Sequence, residues 1–339
     1  MRVSLLAFAL LSLPLAVFAD GTTQYNLQHE YVLGGEGGWD YLNFDAPGHR
    51  LFISRATRVQ VVDGDSGKLL GEIPDTDGVH GIVFAPELGK GFTSNGKGNS
   101  VTVFDLKTLK TIATIAISGQ GPDAIVYEPV TKRVFTFNGH SKDSTVIDAV
   151  KGTVVATIPL EGRPEFAAAD GKGMVYVNIE DKSDVSAIDA AKAVVVKTWS
   201  LAPCEGPSGF SMDQVHRRLF SGCDNKLMAV SDPDAGKVVA TFPIGQGVDA
   251  TGFDPGTGLA FSSNGEGTLT VAHEDSPDKY TVLQDAATRK FARTMTLDPV
   301  SHRVYLVTAD LEMTPDPQGG RPKRVVLPGT FKVLVMGKQ

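Results

Sequence analysis

A chain of 339 residues is long enough for two ordinary domains or for one large all-β unit. With 42% hydrophobic and 21% charged residues it has the composition of a soluble globular protein, which excludes disorder and a polytopic membrane protein. Its 37 glycines and 19 prolines follow no Gly-X-Y period, so a turn-rich, many-stranded fold is favoured over collagen, and a net charge of -7 argues against nucleic acid or an anionic membrane as partner.

The chain begins with Arg2 and an apolar run from Leu5 to Phe18, broken only by Ser12 and Pro14. Small residues at Val17 and Ala19 fit cleavage by a signal peptidase after Ala19. Residues 1–19 are therefore expected to be a signal peptide, and residues 20–339 a single domain that is periplasmic or secreted. The run is too short to span a bilayer comfortably, and no later stretch can, so no transmembrane segment is expected in the mature chain. The only cysteines, Cys204 and Cys223, fit one disulfide in an oxidising compartment, with free thiols holding a soft metal as the alternative. There is no Cys-x-x-Cys-His for haem and no zinc spacing.

After a β-like run from Tyr25 to Leu33, a unit recurs seven times, beginning at Trp39, Val79, Pro122, Pro164, Pro207, Val248 and Ala292. An aromatic follows thirteen residues on in six copies: Phe52, Phe92, Phe135, Phe220, Phe261 and Tyr305. In the fourth copy it is Tyr176, one residue early, because the turn is shorter. A second mark, an aspartate closing a β-rich run, recurs at Asp63, Asp105, Asp148, Asp189 and Asp232. Each repeat thus supplies four short strands, A (innermost) to D (outermost). Seven such units predict an all-β, seven-bladed β-propeller of four-stranded antiparallel blades. The last copy supplies strands A, B and C but no D. The run from Tyr25 to Leu33 is expected to fill that place and close the ring, removing two exposed edges. Small residues at Gly81, Ala124, Ala167, Gly209 and Ala250 mark where the inner strands crowd the axis.

The strand B copies LFISRA, GFTSNG, VFTFNG, VYVNIE, LFSGCD, AFSSNG and VYLVTA resemble the YVTN-type repeat. With the Gly-Pro starts at Gly121-Pro122 and Gly206-Pro207 and the strand C aspartate, the chain resembles the YncE-like seven-bladed propellers of bacteria over nearly its whole mature length. The resemblance implies the fold and export. It implies no reaction, since many members have none assigned.

In a propeller the D–A and B–C loops open on one face, at the mouth of the central channel. The second residue of each repeat is expected there: Asp40, His80, Asp123, Glu165, Ser208, Asp249 and Arg293. Five of the seven are charged. Three uses fit such a ring: a solvated mouth whose charges compensate, a site for a charged ligand with Arg293 taking an anionic group, or a metal site. No motif requires a cofactor, and the ion considered is Ca2+ or Mg2+ held by Asp40, Asp123, Glu165 and Asp249. The strand B ends add Arg55, Asn95, Asn138, Glu180 and Asn264, although Asn-Gly pairs also serve tight turns that need positive φ. Cys204 and Cys223 fall in D–A and B–C loops of one blade, within reach of each other. The last B–C loop, 310–330, is long, Pro-rich and basic at Arg321, Lys323 and Arg324, and is a candidate lid or partner surface. His49, His216 and His302 recur in A–B turns on the opposite face and read as turn chemistry.

No nucleophile elbow, phosphate loop or His-Glu-x-x-His motif is present. The leading reading is a non-enzymatic exported propeller that binds a small ligand or a periplasmic protein at the charged mouth. The alternative is a divalent-metal-assisted hydrolase or lyase, lactonase-like, with His80 as base and Arg293 beside the oxyanion. A scaffold subunit of a periplasmic redox complex is a third reading.

Overall fold

Short runs with alternating apolar residues have one face to bury and a hairpin partner close by in sequence, which favours antiparallel sheets. The computed structural model describes residues 24–314 and 323–338. The expected signal peptide (1–19), and Arg321 with the centre of the last B–C loop, lie outside them. The described chain forms seven four-stranded antiparallel sheets, as the repeat predicts. Blade 1 consists of strands Leu42–Asp45 (A), Arg50–Arg55 (B), Arg58–Asp63 (C) and Leu69–Ile73 (D). Blades 2 to 6 repeat the A–B–C–D order, ending with the long hairpin Thr268–Ser276 and Lys279–Ala287 of blade 6.

Blade 7 is made from both ends of the chain. Strands Met295–Asp298, Arg303–Thr308 and Lys332–Lys338 are joined on the outside by Tyr25–Val32. Tyr25 pairs with Lys338 and Val32 with Lys332, with a bulge between Leu27 and His29. Tyr25 anchors the closure. Its ring is fully buried edge-on to Phe261 of blade 6, and its hydroxyl donates to the His302 carbonyl at 2.8 Å. The Gln284 side chain grips the Tyr25 backbone, accepting from its N–H at 2.9 Å and donating to its carbonyl at 3.0 Å.

The core is a series of layers between blades. The strand B aromatics Phe52, Phe92, Phe135, Tyr176, Phe220, Phe261 and Tyr305 are all buried within them. The smallest inner-strand residues permit close approach. A Cβ on Gly81 would lie 2.6 Å from Ile125 of the next blade, and one on Gly209 would lie 2.8 Å from the Ala250 backbone. In blade 4 the equivalent residue is Phe166, not Ala167. Ala167 pairs with Val177 one step further along the strand, as Ile82 pairs with Thr93 in blade 2.

On the face of the A–B turns, a buried acid ends strand A in most blades and caps its own turn. Asp213 accepts the N–H groups of Val215 and His216, and Asp298 those of Val300 and Ser301. Some of these acids also hold the next blade: Arg217 donates to Asp170 at 3.2 Å, and His302 meets Asp254 at 2.8 Å. Of the histidines in these turns, His216 and His302 are therefore staples as well as turn residues, whereas His49 meets Asp65 of its own blade.

The described parts of the last B–C loop contain strand structure. Leu311–Thr314 and Lys323–Val326 pair as a two-stranded hairpin. Cys204 and Cys223 form a disulfide with Cα atoms 5.6 Å apart, both side chains buried. This fits an oxidising, non-cytoplasmic environment. No helix among the described residues is long and apolar enough to cross a membrane.

Two stability outcomes follow. Tyr25→Ala should lower the unfolding free energy in urea by about 3–5 kcal/mol, the cost of emptying a large aromatic site. Replacing both cysteines by serine should cost about 3 kcal/mol, as expected for a loop of this length.

Candidate functional site

At the start of strand A in blades 2 to 6 the A–B register shifts, for example between Val79 and Ile82 and between Pro122 and Ile125. Such a bulge re-aims a side chain. Here it turns the second residue of the repeat toward the axis. In blades 1 and 7 strand A starts later, at Leu42 and Met295, so Asp40 and Arg293 lie in the lead-in. Strand B side chains fix these positions from the neighbouring blade. Ser94 donates to the carbonyl of Asp123, Asn178 to that of Ser208 at 3.0 Å, and Ser263 to that of Arg293.

The result is one cup of about 440 Å³. All seven expected ring residues line it: Asp40, His80, Asp123, Glu165, Ser208, Asp249 and Arg293. Glu180 joins them, as expected. Tyr41, Phe166, Arg163, Asp224 and Val248 complete the wall. Tyr41 of blade 1 and Phe166 of blade 4 stack across the axis, ring centroids 4.5 Å apart.

Six carboxylates line the cup against two arginines and one histidine, so full ionisation leaves three negative charges uncompensated even with His80 charged. His80 Nδ1 lies 2.5 Å from Asp40 Oδ2 and 3.7 Å from Asp123 Oδ1. Burial works against a charged imidazole, but the Asp40 hydrogen bond and the charges of Asp123, Asp40 and Glu165 outweigh it and push His80 up to about 9. Burial, then the charge of Asp40, raises the Asp123 carboxyl. Burial and Asp123 push Glu165 up to about 7, with Arg163 acting against them. Burial also raises Asp249, opposed by Arg293 at 3.2 Å and reinforced by Asp40 and Asp123. The Tyr41 phenol is held well above its usual range by burial, then by four carboxylates. The hydroxyl of Tyr41 has no complete hydrogen bond, yet lies close enough to Asp123 to favour its ionised form.

Four expected residues are not brought to the cup. Arg55 is fully buried and holds the glycine-rich lead-in, donating to the carbonyls of Gly34 and Glu36 and to Gln60, with its guanidinium 3.7 Å from the Phe331 ring centroid. Asn95, Asn138 and Asn264 are buried in their own blades. Asn95 accepts from Thr93 and donates to Ser100 and Thr102, and the other two repeat the pattern. None of the three has positive φ, so the Asn-Gly pairs are not the tight turns they resemble.

Tyr41 and Phe166 had a signal in the sequence. The third residue of the repeat is Gly81, Ala124, Gly209, Ala250 or Thr294 elsewhere, and only copies 1 and 4 carry an aromatic there. Arg163 and Asp224 also sit on the period: Arg163 stands where copies 2, 3, 5 and 6 carry Gly78, Gly121, Gly206 and Gly247, and Asp224 is the counterpart of Glu180. Beside the cup a second hollow of about 270 Å³ is lined by Trp39, Phe291, Arg293 and, from the insert hairpin, Leu311 and Val326. Phe291 has φ of 66°, a strained conformation for a bulky residue.

No protein-family profile matches the chain, and no curated protein matches it in sequence. Solved structures do match in shape. "Crystal structure of RRP9 WD40 repeats" superposes with a TM-score of 0.77 at 9% identity, covering 94% of this chain and 100% of that one. "Structure of U3-55K" superposes with a TM-score of 0.75 at 9% identity, covering 91% and 98%. The likeness is one of fold: this is a seven-bladed β-propeller.

Raised carboxyl pKa values carry a signed consequence. A carboxyl with a raised folded pKa contributes stability below its unfolded pKa and loses it as pH rises through the folded value. Glu165→Gln with Asp249→Asn should therefore raise the melting temperature by a few degrees at about pH 8 and by much less at about pH 4.5. Thermal unfolding at the two pH values checks this.

Proposed function

We propose that the protein is an exported propeller that binds a small ligand or a protein partner, taking a cationic group into the cup. The observation that carries this is the excess of carboxylates over cations in a concave site floored by stacked Tyr41 and Phe166. Carboxylates attract the charge, and the aromatic faces favour a cation over water. The exposed Arg293 would take an anionic group on the same ligand. The YVTN-like copies support a place among the YncE-like propellers. The Cys204–Cys223 disulfide and the apolar run ending at Ala19 support a periplasmic or secreted location.

The second reading is a divalent-metal-assisted hydrolase or lyase. It is favoured by one observation: ligating atoms of Asp40, His80 and Asp123 all lie within 4.8 Å of one another.

A thermal-shift screen with arginine, spermidine, choline and a lysine-rich peptide, set against neutral and anionic analogues, tests the binding reading. At least one cation should raise the melting temperature. Joint replacement of Asp40, Asp123, Asp249 and Arg293 by alanine should abolish the response. Equal responses from wild type and the quadruple variant would sink the site assignment.

A further inference from the structure

The cup has two unlike halves. On the side of blades 4, 6 and 7 each acid of the ring has an arginine: Glu165 and Glu180 flank Arg163, and Asp249 pairs with Arg293. On the side of blades 1 to 3, two carboxylates share one imidazole, with the Tyr41 hydroxyl beside Asp123 and Arg293 acting on it from the ring's other side. Their donor atoms are one nitrogen and two oxygens, on three successive strand starts.

The imidazole is aimed by its surroundings. A Cβ on Gly96 would lie 2.8 Å from both Nε2 and Cδ2 of His80 and 3.3 Å from the carbonyl of Pro122. The Nε2 edge thus rests on a glycine cradle that no other residue could provide without displacing it, and Nδ1 is the edge turned to the carboxylates. Asp123 is in turn held by the Ser94 bond to its carbonyl.

We propose that Asp40, His80 and Asp123 are the ligands of one divalent transition-metal ion. This rests on the cup being a binding site and specifies what occupies its blade 1–3 side. A tetrahedral ion with bonds of about 2.0–2.2 Å separates its donors by about 3.3–3.6 Å. The observed separations of 2.5 and 3.7 Å from Nδ1 bracket that range. Asp40 need only draw back as the ion replaces the proton it shares with His80, and that proton leaves to solvent. One imidazole and two carboxylates suit zinc, cobalt or manganese, whereas Ca2+ and Mg2+ take oxygen alone. Glu165 and Asp249, held by arginines, are not needed. Remaining coordination positions open into the cup. The other group of three potential ligands among the described residues is Asp213, His216 and Glu274 on the opposite face. Its oxygens are already taken by the turn N–H groups, Tyr280 and His216 itself.

The test is titration of metal-free protein with Co2+ and Zn2+, followed by calorimetry and cobalt absorption. One ion per chain is expected, not displaced by excess Ca2+. His80→Gln and Asp123→Asn should each weaken binding at least about tenfold, while His216→Gln leaves it unchanged. Pulsed electron paramagnetic resonance of Mn2+-loaded wild type should show one directly bound imidazole nitrogen. This last measurement needs no variant to fold. Absence of a bound ion, absence of nitrogen coupling, unchanged binding in His80→Gln, or loss in His216→Gln each overturns the proposal. Repeating the organic-cation screen in EDTA separates the two ideas: a surviving response with no metal binding leaves the cup a cation site and removes only the metal.

Discussion

Seven blades make a ring only if the last open edge finds a partner, and here that partner is eight residues from the other end of the chain. Open strand edges are costly because their N–H and C=O groups are unpaired, so closure satisfies the edge and fixes the circumference together. The seam runs beside the site. The glycine-rich lead-in from Leu33 to Gly38 carries the chain from the closing strand to Asp40, and Arg55 holds it by carbonyl bonds while its guanidinium lies on Phe331. Burial lowers the Arg55 pKa to about 10, still far above neutrality, so the charge that makes those bonds persists. Closure therefore sets the position of Asp40, and through it the hydrogen bond to His80.

The cup is one backbone position used seven times with different side chains. A bulge aims that position in blades 2 to 6, and in blades 3, 5 and 7 a strand B hydroxyl or amide from the neighbouring blade secures its carbonyl. The scaffold is thus periodic where it must be rigid and aperiodic where it meets a ligand. The electrostatic consequence is shared: the charges of Asp40 and Asp123 add to burial in raising the pKa values of Glu165 and Asp249.

The seven copies, the closing strand and the mouth ring were legible because a period of about 42 residues leaves each structural role at a fixed offset. The Asn-Gly pairs misled for a physical reason. The same dipeptide serves a tight turn and a buried bridge from strand B to strand C, and only the partners Thr93, Ser100 and Thr102 distinguish the two. The short turn of the fourth copy concealed that Phe166, and not Ala167, holds the axial position. Arg163 and Asp224 hold repeated positions, at a lead-in that is glycine in most copies and beside a strand B end, but that their side chains reach the cup is a matter of contact, as is the support of His80 by Gly96. Such details depend on how blades meet, which offsets within one repeat do not encode.

The stacked pair of Tyr41 and Phe166 lies across the axis at the cup. Where such a pair closes the central channel it makes a well, and a molecule in it leaves by the path it entered. Whatever settles over the mouth, including the insert hairpin's neighbourhood at Leu311 and Val326, would then govern how long that molecule stays. Residence time in such a well can be tuned by a cover without changing a single contact at its floor.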